Sequence, residues 1–160
     1  MNIPKKKKDV SYKEAFLKAA AFCAYQERSR QEVREKLYSY ELSEDETEEI
    51  IESLIRENYI NDARFARAFA GGKFRLKKWG RIKIRQELKV RGIAEQHIRE
   101  GLQEIDEEAY TQILRELLEK KNRLEKATGV LERKQKLLRF ALSKGYEQDI
   151  IWDEINGLIH

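Results

Sequence analysis

Residues 73–91 read KFRLKKWGRIKIRQELKVR, a segment that combines a helical apolar pattern with charge of almost one sign. Its nine lysines and arginines face a single acid, Glu87. Ile84 and Leu88 stand four positions apart and therefore share one face of a helix. The segment predicts a short amphipathic helix over about residues 80–91, packed through its apolar face and cationic on its exposed sides.

A cationic stripe runs along the same predicted helix, because Arg81, Arg85 and Lys89 repeat the four-residue spacing on the neighbouring face. Phe74 and Trp79 lie in or near the turn that precedes it. Basic side chains neutralise phosphates or meet a partner's carboxylates, and aromatic rings stack or anchor. The candidate partner-binding or DNA-binding residues are Lys73, Arg75, Lys77, Lys78, Trp79, Arg81, Lys83, Arg85, Lys89 and Arg91. The alternative is a solvated helix face whose cations serve solubility alone.

The composition of the 160-residue chain favours an all-α fold. One proline and eight glycines are too few for the many tight turns of a β-rich protein. Charged residues make up 39% of the chain, but periodic apolar positions run nearly from end to end, which argues against disorder. The net charge is only +4, whereas residues 41–57 hold eight acids and one base. This polarised distribution suits an oriented interaction better than a general coat on nucleic acid.

Cysteine usage and hydropathy favour a cytoplasmic protein without membrane association. Cys23 is the only cysteine, so the chain cannot form an internal disulfide. No apolar run approaches the roughly 18 residues that suggest a membrane span, and no segment resembles a signal peptide. Cys23 falls in the apolar register of its predicted helix, and we expect it to be a buried structural thiol.

Several polar residues mark predicted helix boundaries. Ser11, Ser29 and Ser43 each precede a glutamate by three positions, which is the S-x-x-E pattern of a capping box. In such a box the serine side-chain oxygen accepts a hydrogen bond from a backbone amide of the first turn. The glutamate carboxylate in turn accepts one from the serine's own backbone amide. Asn61 predicts a fourth helix start by the same chemistry, and Asn58 is expected to end the preceding helix in the left-handed conformation.

The apolar pattern repeats along the chain. A shift of 51 residues superposes Val33 on Ile84 and Leu37 on Leu88, and a further shift of 53 brings Ile84 onto Leu137. We therefore predict three tandem three-helix repeats. Their expected bounds are residues 11–58, 59–105 (the basic repeat) and 106–160, after a flexible basic tail over residues 1–10. Contacts would run mostly between neighbours, which gives an elongated curved rod with a long concave side. A compact globule is the alternative.

Four segments carry a resemblance to known proteins: SRQEVREKL (29–37), ENYINDARFARAFA (57–70), WGRIKIRQELKVRGI (79–93) and KLLRFALSKGYEQDII (136–151). In this order and spacing the chain resembles the RecX family, the bacterial regulators of the RecA recombinase. Three positions depart from the family pattern. Glu41 stands where the other two units have glycine, so the first unit is expected to turn differently there. Asn58 and Asn61 replace the glycine and aspartate common in that stretch, and asparagine can serve both purposes.

The resemblance implies three tandem three-helix repeats in a curved rod. It implies a protein that binds the RecA–DNA filament and modulates recombination, usually by inhibiting it, without a cofactor or a catalytic site. The partners expected are the RecA filament and, more weakly or indirectly, single-stranded or double-stranded DNA, with the chain acting as a monomer.

The residues themselves also argue against an enzyme. His97 and His160 are the only histidines, and neither has a cysteine or paired carboxylates at metal-ligand spacing. The chain contains no P-loop, no dinucleotide fingerprint and no G-x-S-x-G motif. The remaining alternative is an autonomous DNA-binding protein that uses the second helix of the second repeat in a groove or along single-stranded phosphates. The small net charge and the acidic segment count against it.

Overall fold

The structure, a computed structural model, describes residues 11–126 and 128–160. In this part of the chain it contains nine α-helices, one π-helical turn and no strand. The elements are α1 Tyr12–Tyr25, α2 Arg30–Tyr38, α3 Glu44–Arg56, α4 Asp62–Gly72, the π-helical turn Lys73–Lys77, α5 Arg81–Val90, α6 Glu95–Leu102, α7 Glu107–Leu124, α8 Val130–Ser143 and α9 Gln148–Leu158. The all-α prediction is confirmed, whereas the basic tail expected at residues 1–10 lies outside the described residues.

Serine caps begin the three helices of the first unit, as predicted. Ser43 forms a complete capping box, since its hydroxyl accepts the Glu46 amide at 3.1 Å and its own amide donates to the Glu46 carboxylate at 3.1 Å. The Ser11 and Ser29 hydroxyls accept hydrogen bonds from the Glu14 and Glu32 backbone amides at 3.1 and 3.2 Å. The hydroxyl of buried Ser29 donates instead to the Glu32 carboxylate at 3.2 Å. Within the described chain, the full reciprocal pair forms at Ser43.

The two asparagines at the boundary between the first and second units act as the sequence predicts. Asn58 has a φ of 64°, which is the left-handed conformation that ends α3. Asn61 caps α4, because its side-chain oxygen accepts the Arg64 amide at 2.9 Å. The Asn61 side-chain amide also donates to the Asn58 side-chain oxygen at 3.0 Å. Both departures from the family pattern therefore keep the local geometry.

The turn after the second helix of each unit contains one left-handed residue at the same repeated position. Glu41, Gly92 and Gly145 have φ values of 53°, 77° and 95°, all left-handed. The turn of the first unit differs in its hydrogen bonds, as expected, and not in the sign of φ. The Ile93 and Tyr146 amides donate to the Leu88 and Ala141 carbonyls at 3.1 and 3.2 Å, whereas in the first unit the Tyr40 amide donates to the Leu37 carbonyl at 3.0 Å. Glutamate adopts the left-handed conformation at a cost of roughly 1–2 kcal/mol relative to a glycine.

The positions that superpose in the sequence are buried in all three units. Val33, Ile84 and Leu137 are fully buried at one repeated position, and Leu37 and Leu88 at the next. Each of these residues lies on the apolar stripe of the second helix of its unit and belongs to a buried core. The internal repeat read from the sequence is therefore a repeat of the packed cores.

The buried residues of the described chain divide into two clusters. One belongs to the first unit and includes Ile60, while the other is shared by the second and third units. Tyr110 and Tyr146 lie in the shared core with ring centroids 4.9 Å apart. Among the described residues, the hydrogen bonds and ion pairs between units join the first unit to the second or the second unit to the third. This order of contacts is the one that an elongated stack of units requires.

Two glycines allow the second and third units to meet backbone to backbone. The Gly80 amide donates to the Lys144 carbonyl at 2.8 Å, and the Ile82 amide donates to the Gly145 carbonyl at 2.9 Å. A Cβ at Gly80 would lie 2.3 Å from the Gly145 carbonyl carbon, and one at Gly145 would lie 2.3 Å from the Lys83 Cβ. The first turn of α5 is therefore fixed against the loop between α8 and α9.

Candidate functional site

The basic segment forms a bend followed by a helix. The π-helical turn Lys73–Lys77 ends at Lys78, which has a left-handed φ of 58°. The Lys78 amide donates to the Phe74 carbonyl at 3.0 Å, and the Trp79 amide donates to the Lys73 carbonyl at 3.3 Å. The predicted binding residues thus lie on two differently oriented surfaces, the bend and α5.

Arg81 is held inside the protein. One guanidinium nitrogen bonds the Glu107 carboxylate at 2.5 Å, and Nε lies 2.8 Å from the Glu147 carboxylate. The side chain is only 20% exposed. Burial by itself would lower the pKa of Arg81, but the hydrogen bond with Glu107 and the charge of Glu147 raise it overall. Arg81 therefore stays charged and joins the second unit to the third.

Tyr110 completes this polar junction. Its hydroxyl accepts the Arg81 amide at 2.9 Å and donates to the Glu147 carboxylate. The ring is fully buried, and the Arg81 guanidinium carbon lies 4.0 Å from its centroid. Burial and the hydrogen bond to Glu147 raise the pKa of Tyr110, so the phenol remains a donor at ordinary pH. No short-range sequence signal links Arg81 with Tyr110 or Glu147, and the sequence analysis missed both partners.

Two other arginines of the predicted site are also paired. Arg85 bonds the Glu95 carboxylate, and this hydrogen bond lowers the pKa of Glu95. Arg91 donates to the Glu87 carboxylate at 2.8 Å and to the Glu87 carbonyl at 2.9 Å. Much of the charge on the stripe is thus balanced within the molecule.

Four predicted site residues are exposed cations that make no ion pair in the described parts of the chain: Arg75, Lys77, Lys78 and Lys89. The first three lie on the bend, and Lys89 lies near the end of α5. Because a cation without an internal carboxylate has its charge available to a partner, these residues form the strongest part of the candidate surface.

The aromatic rings beside the bend already have contacts. Phe74 is buried, and Trp79 is half-buried against the core. The Lys73 and Lys83 ammonium groups lie 5.1 and 4.7 Å from the Trp79 ring centroid, and Phe69 meets its edge at 6.4 Å. Lys73, Trp79 and Lys83, three of the predicted site residues, thus form one cluster, and the buried Phe74 ring is not available for stacking.

The Cys23 thiol and the possible metal ligands outside the basic segment form no reactive site in the described residues. Cys23 is buried as predicted, and burial raises its pKa to about 11. Over the described ranges, no group of three or more histidine, cysteine, aspartate or glutamate side chains is placed to hold a metal ion. A search of those ranges also finds no helix with the length and apolar character needed to cross a membrane.

The sequence matches known protein families in three places, one for each three-helix unit. Family models of the first, second and third three-helix domains of RecX match residues 15–54, 61–102 and 107–155. The chain belongs to the RecX family. The resemblance read from the four sequence segments is confirmed, and so is the fold of three tandem three-helix domains. The division at residues 58/59 and 105/106 stays a prediction.

RecX proteins of several bacteria align with most of this chain. The regulatory protein RecX of Bacillus cytotoxicus is 34% identical over 137 residues, which are 86% of this chain and 51% of that protein. The regulatory protein RecX of Lactobacillus gasseri is 32% identical over 136 residues, which are 82% of this chain and 49% of that protein. The chain therefore spans about half the length of these curated relatives.

Solved RecX structures share the fold. The crystal structure of RecX from Lactobacillus salivarius superposes with a TM-score of 0.80 at 26% identity, covering 92% of this chain and 96% of that one. A second crystal structure, of a regulatory protein RecX, superposes with a TM-score of 0.81, covering 91% of this chain and 73% of that one. Because the two sequences are only 23% identical, this match is evidence for the fold alone.

Proposed function

We propose that this protein binds the filament that RecA forms on DNA and inhibits the ATP hydrolysis and strand exchange of RecA in recombination and repair. Membership of a family of regulatory proteins supports a binding role in place of catalysis. The observation that carries the proposal is the group of exposed cations Arg75, Lys77, Lys78 and Lys89, which form no ion pair with any residue in 11–126 or 128–160. A nucleoprotein filament presents phosphates and carboxylates, and both attract such a surface.

The paired arginines have a different role in this proposal. Arg81 fixes the start of α5 against the third unit, because its carboxylate partners Glu107 and Glu147 belong to α7 and to the turn before α9. It orients the basic surface without contacting the partner. Arg85 and Arg91, each paired with a glutamate, contribute less than the unpaired lysines.

Charge reversal on the bend tests the proposal. We expect Lys77→Glu combined with Lys78→Glu to weaken co-sedimentation with RecA filaments on single-stranded DNA by about tenfold or more, because attraction becomes repulsion at two positions. Inhibition of RecA ATP hydrolysis and strand exchange should fall in parallel. The matched control is Lys13→Glu with Lys120→Glu, two exposed lysines on α1 and α7.

Naked DNA separates the two candidate functions. A filament-binding protein should hold RecA–DNA much more tightly than the same DNA without RecA. An autonomous DNA-binding protein would bind both alike, and its affinity would fall steeply with salt according to the number of phosphates contacted. Failure of the wild-type protein to sediment with filaments, or equal binding by the bend variant, would contradict the proposal.

A further inference from the structure

Leu76 lies at the centre of the most cationic part of the molecule and is 82% exposed. Arg75, Lys77 and Lys78 flank it, and all three are exposed and free of internal ion pairs within the described chain. Single exposed apolar side chains are common on protein surfaces and need no explanation by themselves. The backbone that carries Leu76 distinguishes it from the other exposed apolar residues.

The bend around Leu76 is built from uncommon backbone geometry. The π-helical turn Lys73–Lys77 and the left-handed Lys78 follow one another directly. π-Helical turns are rare and occur frequently at functional sites, and left-handed non-glycine residues cost free energy. Such geometry persists only where the surrounding structure imposes it.

The surrounding structure does hold both ends of the bend. Phe74 is buried before Leu76, with its ring centroid 5.8 Å from that of Tyr110. After Leu76, the Lys78 carbonyl accepts the hydroxyl of Tyr146 from the third unit at 3.1 Å. The core of two units thus fixes the backbone on either side of an outward leucine. A leucine on a backbone held in this way binds without the cost of ordering that backbone.

We propose that Leu76 is an apolar anchor that enters a recess on an acidic protein surface, while Arg75, Lys77 and Lys78 pair with carboxylates at its rim. The inference rests on the proposed function, in which that surface belongs to a RecA protomer in the filament. A buried apolar anchor within a polar rim is the common anatomy of protein–protein interfaces.

A protein surface fits the bend better than a nucleic acid does. Proteins that bind single strands stack bases on exposed aromatic rings. Here Phe74 is buried, and Lys73 and Lys83 lie against the half-buried Trp79. An aliphatic side chain can also wedge between the bases of a duplex, which makes double-stranded DNA the competing outcome in the test.

The test measures affinity for RecA filaments on single-stranded DNA with the whole protein. We expect Leu76→Ala to weaken binding about tenfold or more, because it removes most of the apolar area that the anchor buries. Leu76→Met keeps that area and should bind within about threefold of wild type. The control is Leu131→Ala, which truncates a leucine that is 68% exposed at the start of α8.

Salt dependence and naked duplex DNA identify the kind of contact. Leu76→Ala should leave the salt slope of binding unchanged, whereas Lys77→Glu with Lys78→Glu should reduce it. Thermal melts of all variants should match wild type, because the altered side chains are exposed. Wild-type affinity in Leu76→Ala, with the lysine variant weakened, would overturn the anchor and leave the proposed function intact.

Two further results would also overturn the inference. If Leu76→Ala weakens binding to naked duplex DNA as much as binding to filaments, the leucine contacts DNA. If the wild-type protein does not bind filaments at all, the proposed function fails and the anchor fails with it.

Discussion

At the scale of single residues, Glu41 shows how a packed unit imposes an unfavourable conformation on its sequence. It adopts a φ of 53° at the position where the other two units have Gly92 and Gly145. An L-residue in this region costs roughly 1–2 kcal/mol more than glycine, because Cβ crowds the following carbonyl oxygen. The first unit keeps a left-handed residue at this position despite that cost.

Glu41→Gly should therefore stabilise the protein. We expect a gain of about 0.5–1 kcal/mol, since the relief of strain exceeds the larger entropy that glycine loses on folding. The melting temperature should rise by about 1–4 °C for a chain of this size. Thermal and denaturant unfolding measure both quantities.

Gly92→Ala is the matched control for that substitution. Gly92 has a φ of 77°, and a Cβ there would meet nothing within 4 Å, so the change tests backbone conformation alone. It should lower stability by about 1 kcal/mol. A lower melting temperature for Glu41→Gly would show that contacts of the Glu41 side chain outweigh the strain.

At the scale of elements, the direction of α5 depends on a junction between two units. Hydrogen bonds from Gly80 and Ile82 join the helix start to the loop between α8 and α9, and the Arg81 ion pairs reinforce them. The basic surface is therefore positioned by the third unit as much as by its own. A change in the junction should move the surface without altering any of its cations.

Gly145→Ala should break this junction. A Cβ there would lie 2.3 Å from the Lys83 Cβ, and the φ of 95° is unfavourable for alanine. We expect a loss of at least about 2–3 kcal/mol in the free energy of unfolding, from overpacking and backbone strain together. Urea denaturation followed by circular dichroism measures the loss.

Gly157→Ala serves as the control within the same unit. Gly157 lies in α9, and a Cβ there would meet nothing within 4 Å. The change should be neutral or stabilise the helix by up to about 1 kcal/mol, because alanine has the higher helix propensity. Equal stability of both glycine variants would mean that the two units do not meet as closely as described.

At the scale of the whole molecule, the three units are unequally joined. Within the part of the chain that the structure describes, the first unit has its own core of 11 buried residues, of which three are alanines, whereas the second and third share a larger core of 19 buried residues that includes Phe65, Phe74, Tyr110 and Tyr146. The first unit is joined to the second by Ile60 and by ion pairs such as Arg30 with Asp62 at 3.1 Å. The Arg30 side chain is 43% exposed, and ion pairs near the surface contribute little to stability.

We therefore expect the first unit to open separately from the rest. In native-state hydrogen exchange of the intact protein, amides of α1–α3 should exchange as one group at a lower free energy than amides of α4–α9. Mass spectrometry at increasing denaturant resolves the two groups. A single opening free energy for all nine helices would show that the three units unfold together.

The sequence determined the helices, their caps, the repeat and the family, because these features are encoded at short or fixed spacings. Ser43 and Glu46 stand three positions apart, and Val33, Ile84 and Leu137 keep one register across the units. These spacings did not encode the left-handed φ of Glu41, because it is the packed unit that holds a glutamate in a conformation unfavourable for it.

Only the tertiary structure decided which cations of the basic segment are available to a partner. Arg81 meets Glu107 and Tyr110, 26 and 29 positions away, and Tyr146 holds the Lys78 carbonyl from 68 positions away. No periodicity within the segment encodes such partners, since they come together only when the second and third units pack. The sequence thus set how much charge the surface carries, and packing between units set which charges, and which leucine, face outward.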